Sequence, residues 1–207
     1  MPRRWAFAVL LVTGLLGATA PATALGPDEA ENMVRSTWYE GLPEEEAAQI
    51  DADGAAHLAT LLADPAEKAI HANVLLALGY SGQPGSAEAV LAYAGNPPSG
   101  EVDRDIFRAW QAMPFALGAL AESDPRALQR LGAMLDGEEV GWSFRHHTAE
   151  RIQMQCKRGA VTALSSTGLP AAAAMLQRAS EAASDPGLRS HLDDARADLR
   201  VRQESAR

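Results

Sequence analysis

Along almost the whole chain, from Ala30 to Leu199, apolar side chains return every three or four residues, and no segment sustains the strict alternation of a half-buried strand. Such a chain has to fold as helices that each bury one stripe. Ala30, Met33, Val34, Thr37 and Trp38 step along one helix face, and Ala55, Leu58, Leu61 and Leu62 along a second. A third stripe runs Ile70, Val74, Leu75, Leu78, and a shorter one Ala87, Val90, Leu91, Ala94. Ile106, Trp110, Met113, Leu117 and Leu120 keep helical order through Pro114, where a kink is expected because proline lacks the N–H that the helix needs. Further stripes follow in Leu128–Leu135, Ile152–Leu164, Ala172–Ala179 and Leu188–Leu199.

Composition points the same way. Aromatic residues are 5% of the chain against 47% hydrophobic, so the core is one of Ala and Leu, which lose little freedom in a helix, and an all-β fold is close to excluded. Three Asp-Pro pairs, Asp64-Pro65, Asp124-Pro125 and Asp185-Pro186, read as helix starts, with the acid at the N-cap and proline in the first turn.

Three stretches resemble one another: Ala77-Leu-Gly-Tyr-Ser-Gly-Gln-Pro84, Ala119-Leu-Ala-Glu-Ser-Asp-Pro125 and Ala163-Leu-Ser-Ser-Thr-Gly-Leu-Pro170. Each closes a long helix and opens a shorter one. Their leucines, Leu78, Leu120 and Leu164, are 42 and 44 residues apart, inside the roughly 40 to 47 residues of HEAT-like helix pairs. The chain therefore resembles the HEAT-repeat family, which implies an all-α stack of about four antiparallel helix pairs and a binding role, and carries over no catalytic residues. An irregular helical bundle and a tetratricopeptide-like array are the alternatives, the latter disfavoured because its unit is about 34 residues.

The N-terminus has the grammar of a secretory signal: Arg3 and Arg4, an apolar run from Trp5 to Leu16, and small residues ending in Ala22-Thr23-Ala24. Cleavage is expected after Ala24, leaving residues 25–207 as one helical domain in the periplasm or outside the cell. The only cysteine, Cys156, is too deep in the chain to be lipidated, and it sits in the apolar stripe with Ile152 and Ala160, where a core thiol is expected rather than a nucleophile. No apolar stretch after residue 24 approaches the ~20 residues of a membrane span, so no membrane insertion is expected after cleavage.

The formal charge is −9, unevenly spread: ten acids face one base in residues 25–64, and ten bases face seven acids in residues 142–207. Net acidity argues against a nucleic-acid binder. The acids of Glu44-Glu-Glu46 and the arginines of the last helix are expected as solvated caps of the stack.

The connection from Asp136 to Thr148 is too long for a tight turn and holds Trp142, Phe144, Arg145 and His146, which are the candidate contacts for a protein partner because aromatic and arginine side chains dominate binding hot spots. Trp142 and Phe144 have a second reading, in which they fold back and fill the gap between helix pairs; Trp38, Tyr39 and Trp110 are expected in the core. The alternative function is a metal-binding protein or metal-dependent hydrolase centred on His146, His147 and Glu150, the last two sharing a helix face at i, i+3. A structural envelope component is a third possibility. No cofactor motif and no nucleophile–base arrangement is found, so the sequence reads as an exported, non-enzymatic interaction module. N-terminal sequencing of the exported protein is expected to read Leu-Gly-Pro-Asp-Glu; a mature chain that keeps Arg3 and Arg4 contradicts the export reading.

Overall fold

The computed structural model describes residues 24–39 and 41–205, so the segment expected to be a secretory signal lies outside the described residues except for Ala24. The fold is all-α. Its helices are α1 (Pro27–Arg35), α2 (Glu44–Ala47), α3 (Ala52–Ala63), α4 (His71–Ser81), α5 (Ser86–Ala94), α6 (Arg104–Leu120), α7 (Pro125–Asp136), α8 (Ala149–Ser166), α9 (Pro170–Ala182) and α10 (Pro186–Ser205). A 3₁₀ segment, Pro65–Ile70, leads into α4, and two short strands, β1 (Gly100–Glu101) and β2 (Trp142–Ser143), pair in parallel.

All three Asp-Pro pairs start helical segments. Asp124 Oδ1 accepts the Arg126 N–H at 2.8 Å, Asp64 Oδ1 accepts the Ala66 N–H at 2.8 Å, and Asp185 Oδ1 accepts the Leu188 N–H at 2.6 Å. The first of these starts, at Asp64, opens a 3₁₀ segment and not an α-helix, so α4 begins only at His71. Asp51 and Asp103 cap α3 and α6 in the same manner, each accepting backbone N–H groups of its helix's first turn. α6 is uninterrupted at Pro114, whose buried ring lies against Gly159 of α8.

The helices pack in two layers. α4, α6, α8 and α10 lie side by side in chain order, α4 on α6 being the most extensive contact of all. α3, α5, α7 and α9 form the second layer, and each helix also touches its neighbours in sequence. Leu78, Leu120 and Leu164 are all buried near the C-terminal ends of α4, α6 and α8.

Within the first layer the backbones come unusually close, and small residues make this possible. A Cβ on Gly79 of α4 would lie 2.8 Å from the Ala116 Cα and 3.0 Å from the Ala116 carbonyl oxygen on α6. A Cβ on Gly118 of α6 would lie 3.2 Å from both Cβ and carbonyl oxygen of Ala163 on α8. Helix axes separated by so little gain dispersion contacts along their length.

Two expectations fail at the N-terminal end. The stripe reaching Trp38 does not remain helical: α1 stops at Arg35, because Ser36 turns back, its N–H donating to the Met33 carbonyl and its Oγ to that of Asn32. Trp38 instead donates its indole N–H to the Met33 carbonyl at 3.0 Å, and Tyr39, expected in the core, is 96% exposed.

Gly79→Ala is expected to destabilise the fold by about 1–3 kcal/mol, since backbone cannot yield as a flexible side chain can. Gly132→Ala in α7, where the nearest neighbour is the end of Met175 at 3.5 Å, is expected to stabilise by about 0.5–1 kcal/mol through helix propensity. Chemical denaturation of the two variants checks whether the signs are opposite.

Candidate functional site

The 136–148 connection is fastened along its length. Gly137 ends α7 in the left-handed conformation (φ 92°), and the Gln153 side chain of α8 donates to the Gly137 and Glu138 carbonyls at 2.6 and 3.1 Å. Arg130 pairs with Glu138 and donates through Nη2 to the Ala94 carbonyl at 3.0 Å, tying α7 to the end of α5. Next, the Gly100 N–H donates to the Gly141 carbonyl at 3.2 Å and the Val102 N–H to the Ser143 carbonyl at 2.8 Å, joining this connection to the one before α6. Phe144 and His147 then exchange two backbone hydrogen bonds across a two-residue turn.

That lacing settles the two readings of the aromatics. Trp142 is 3% exposed and Phe144 9%, so both fill the gap between helix pairs, and the contact reading is corrected for these two residues. Phe144 stacks on Phe107 of α6 with ring centroids 4.3 Å apart, and Trp142 lies 5.9 Å from Trp110. Tyr93 and His71 continue the row of rings beyond Trp110. Burial follows from composition: large rings are scarce, and helices packed through Gly and Ala leave wide gaps at their ends that only such rings can fill.

Arg145 and His146 remain exposed. Arg145 has φ 50°, the only non-glycine residue in the left-handed region among the described residues. A β-carbon there costs roughly 1–2 kcal/mol where glycine would cost nothing. Its guanidinium lies 5.1 Å from the Phe144 ring centroid, a cation–π placement that offsets part of this cost.

The three residues of the metal alternative are placed differently from the sequence expectation. α8 starts at Ala149 with Thr148 as N-cap, so His147 precedes the helix and shares no helix face with Glu150. His147 turns its Nδ1 towards Gln155 at 3.4 Å and its ring towards Phe107, while the Thr148 hydroxyl and backbone N–H bonding at the helix start hold the Glu150 carboxyl below its usual range. Among the described residues no three His, Cys, Asp or Glu side chains converge on one point. Cys156 lines a pocket between α6 and α8, where burial pushes its thiol up to about 11, away from the thiolate that a nucleophile requires.

The feature that sequence reasoning missed lies beside this connection. α6 exposes Arg104, Arg108, Gln111 and Phe115, at i, i+4, i+7 and i+11, one open stripe along an otherwise buried helix. A shallow cleft of about 490 Å³ is lined by Arg104, Arg108, Arg145, Gln111, Phe107 and Phe144. Adjoining it, a pocket of about 260 Å³ between α6 and α8 has Trp110, Trp142, Phe115 and Cys156 in its walls and Gln155 and Arg158 at its polar side. Among the described residues, no carboxylate lines either one. Among the described residues, Arg104, Arg108, Arg145 and Arg158 form no ion pair, although the chain carries 27 acids against 18 bases. The period of the exposed arginines was present in the sequence, but reading it required knowing which face of α6 the neighbours leave open.

A second cleft, about 470 Å³, lies at the junction of α3, α5 and α6 beneath Lys68, His71 and Tyr93. Its charged group is already used, since Lys68 pairs with Asp103 at 2.5 Å, and His71 directs Nε2 at the Leu61 and Asp64 carbonyls.

No protein-family model, curated protein or solved structure matches the chain. The site is therefore read from its own chemistry.

Replacing Trp142 and Phe144 together by Ala is expected to cost roughly 3 kcal/mol or more per ring. Thermal unfolding of the double variant checks this, and a loss below about 1 kcal/mol contradicts the filling role.

Proposed function

We propose that the protein is an exported, non-enzymatic interaction module, a stack of HEAT-like helix pairs that holds an acidic segment of a protein partner against the open stripe of α6 and α8. One observation carries the reading: a strongly acidic chain leaves four arginines unpaired, among the described residues, around two adjoining clefts whose described lining contains no acid. Unpaired guanidiniums beside aromatic walls suit carboxylates, which they bind in bidentate fashion, with rings available for apolar neighbours. Arg145 supports the same reading, since a strained backbone position held by arginine instead of glycine implies a use for the side chain.

The two-layer packing and the buried Leu78, Leu120 and Leu164 support the repeat reading. Export rests on the signal segment. A mature chain beginning at Leu25 keeps its first contacts, the Leu25 nitrogen donating to the Gln49 carbonyl at 2.9 Å. Negative charge elsewhere on the surface disfavours nucleic acid, whose phosphates extend well beyond the stripe.

Fluorescence titration with a decaglutamate peptide tests the function, with decalysine and a single-stranded DNA as comparison. Binding of decaglutamate at low ionic strength, at least tenfold weaker at about 0.5 M salt and in Arg104→Glu/Arg108→Glu, is the expected result. Arg145→Gly is expected to weaken it several-fold while leaving unfolding within about 1 kcal/mol, because relief of backbone strain offsets the lost cation–π contact. Equal binding of decalysine, stronger binding of the DNA, or indifference to the charge reversal overturns the proposal.

A further inference from the structure

Resting on that reading, we propose that the acidic segment held by the arginine stripe belongs to a second copy of this chain, and that two copies pair face to face about a two-fold axis. The observations that carry this concern what lies next to the stripe. Gly79 of α4 and Gly118 of α6 each face the next helix of the layer, so Asn73 and Phe115, six and three residues before them, lie in places turned to the same outer side. On α6 that place is open, with Phe115 41% exposed. On α4 it is covered: Asn73 donates through Nδ2 to the Val34 carbonyl at 2.8 Å, and α2 packs along the same helix. Glu44, at the start of α2, is close enough to Tyr80 to add to the effect of burial in pushing that phenol up.

One face of the molecule therefore has two halves side by side. The half over α4 presents Glu44, Glu45 and Glu46, all exposed and without ion pairs among the described residues. The half over α6 and α8 presents Arg104, Arg108, Arg158 and Phe115. The two halves stay apart within one chain, because Leu42 and Ala47 are buried and anchor the acidic segment where it lies. A face divided in this way is its own complement: rotated by 180°, it sets carboxylates over guanidiniums twice, and the exposed Phe115 of each copy opposite the other half. A two-fold pair also satisfies both halves at once, which an unrelated acidic partner does not.

Sedimentation velocity on the mature chain tests the pairing, with circular dichroism reporting the fold of each variant. The wild type is expected to be a dimer at about 50 μM in low salt and to dissociate at about 0.5 M salt. Glu44→Lys/Glu45→Lys/Glu46→Lys and Arg104→Glu/Arg108→Glu are each expected to weaken self-association at least tenfold, since each makes the face uniform in sign. Mixed in equal amounts, the two folded variants are expected to form a one-to-one dimer. A wild type that stays monomeric, open-ended chains in place of dimers, or folded variants that do not combine overturns the pairing. If decaglutamate binds the stripe of a monomeric wild type, only the choice of partner has failed; if it does not bind, the arginine face itself has no such role.

Discussion

The close approach of α4 to α6 at Gly79, and of α6 to α8 at Gly118, is the constraint on which the remaining geometry depends. With a hydrogen or a methyl at the crossing points, the backbones themselves make the contact. Tight crossing at one end of a helix obliges the helices to be filled at the other, and the rings of Trp110, Trp142, Phe107 and Phe144 supply that volume. The Ala-rich composition and the clustering of the few aromatics are thus two sides of one packing solution.

Much of this was legible before any coordinates. Stripes such as Ile106–Trp110–Met113–Leu117–Leu120 have only one periodicity, and an Asp-Pro pair satisfies the first-turn N–H groups of a helix in a way no other local structure needs. What escaped depends on partners distant in sequence. The two-residue strands β1 and β2 have no pattern to detect, since pairing across some forty residues determines them and not propensity. Whether Trp142 and Phe144 face inwards was undecidable from the chain, because both outcomes place aromatic residues in a polar connection. The helix ending at Arg35 was misjudged because Thr37 and Trp38 continue the stripe by spacing alone, while the Ser36 hydroxyl competes for backbone groups and turns the chain.

The candidate face shows the same division between local and global information. Arg104, Arg108 and Phe115 read locally as an ordinary solvated stripe, and most such stripes bind nothing. Their meaning comes from the acids that are elsewhere: among the described residues, Arg35, Arg126 and Arg130 are paired with carboxylates, whereas these arginines are not. In an acidic protein, unpaired guanidiniums in proximity repel one another, and the arrangement is maintained at some cost to the fold.

The backbone link between residues 100–102 and 141–143 has a dynamic consequence. It joins the chain just before α6 to the chain just after α7, so this hairpin is closed at both ends. Opening it requires breaking the strand pair, unstacking Phe107 from Phe144 and separating two glycine-mediated crossings together. The centre of the molecule is then expected to open as a single cooperative unit in hydrogen exchange, and the arginine stripe is mounted on that unit.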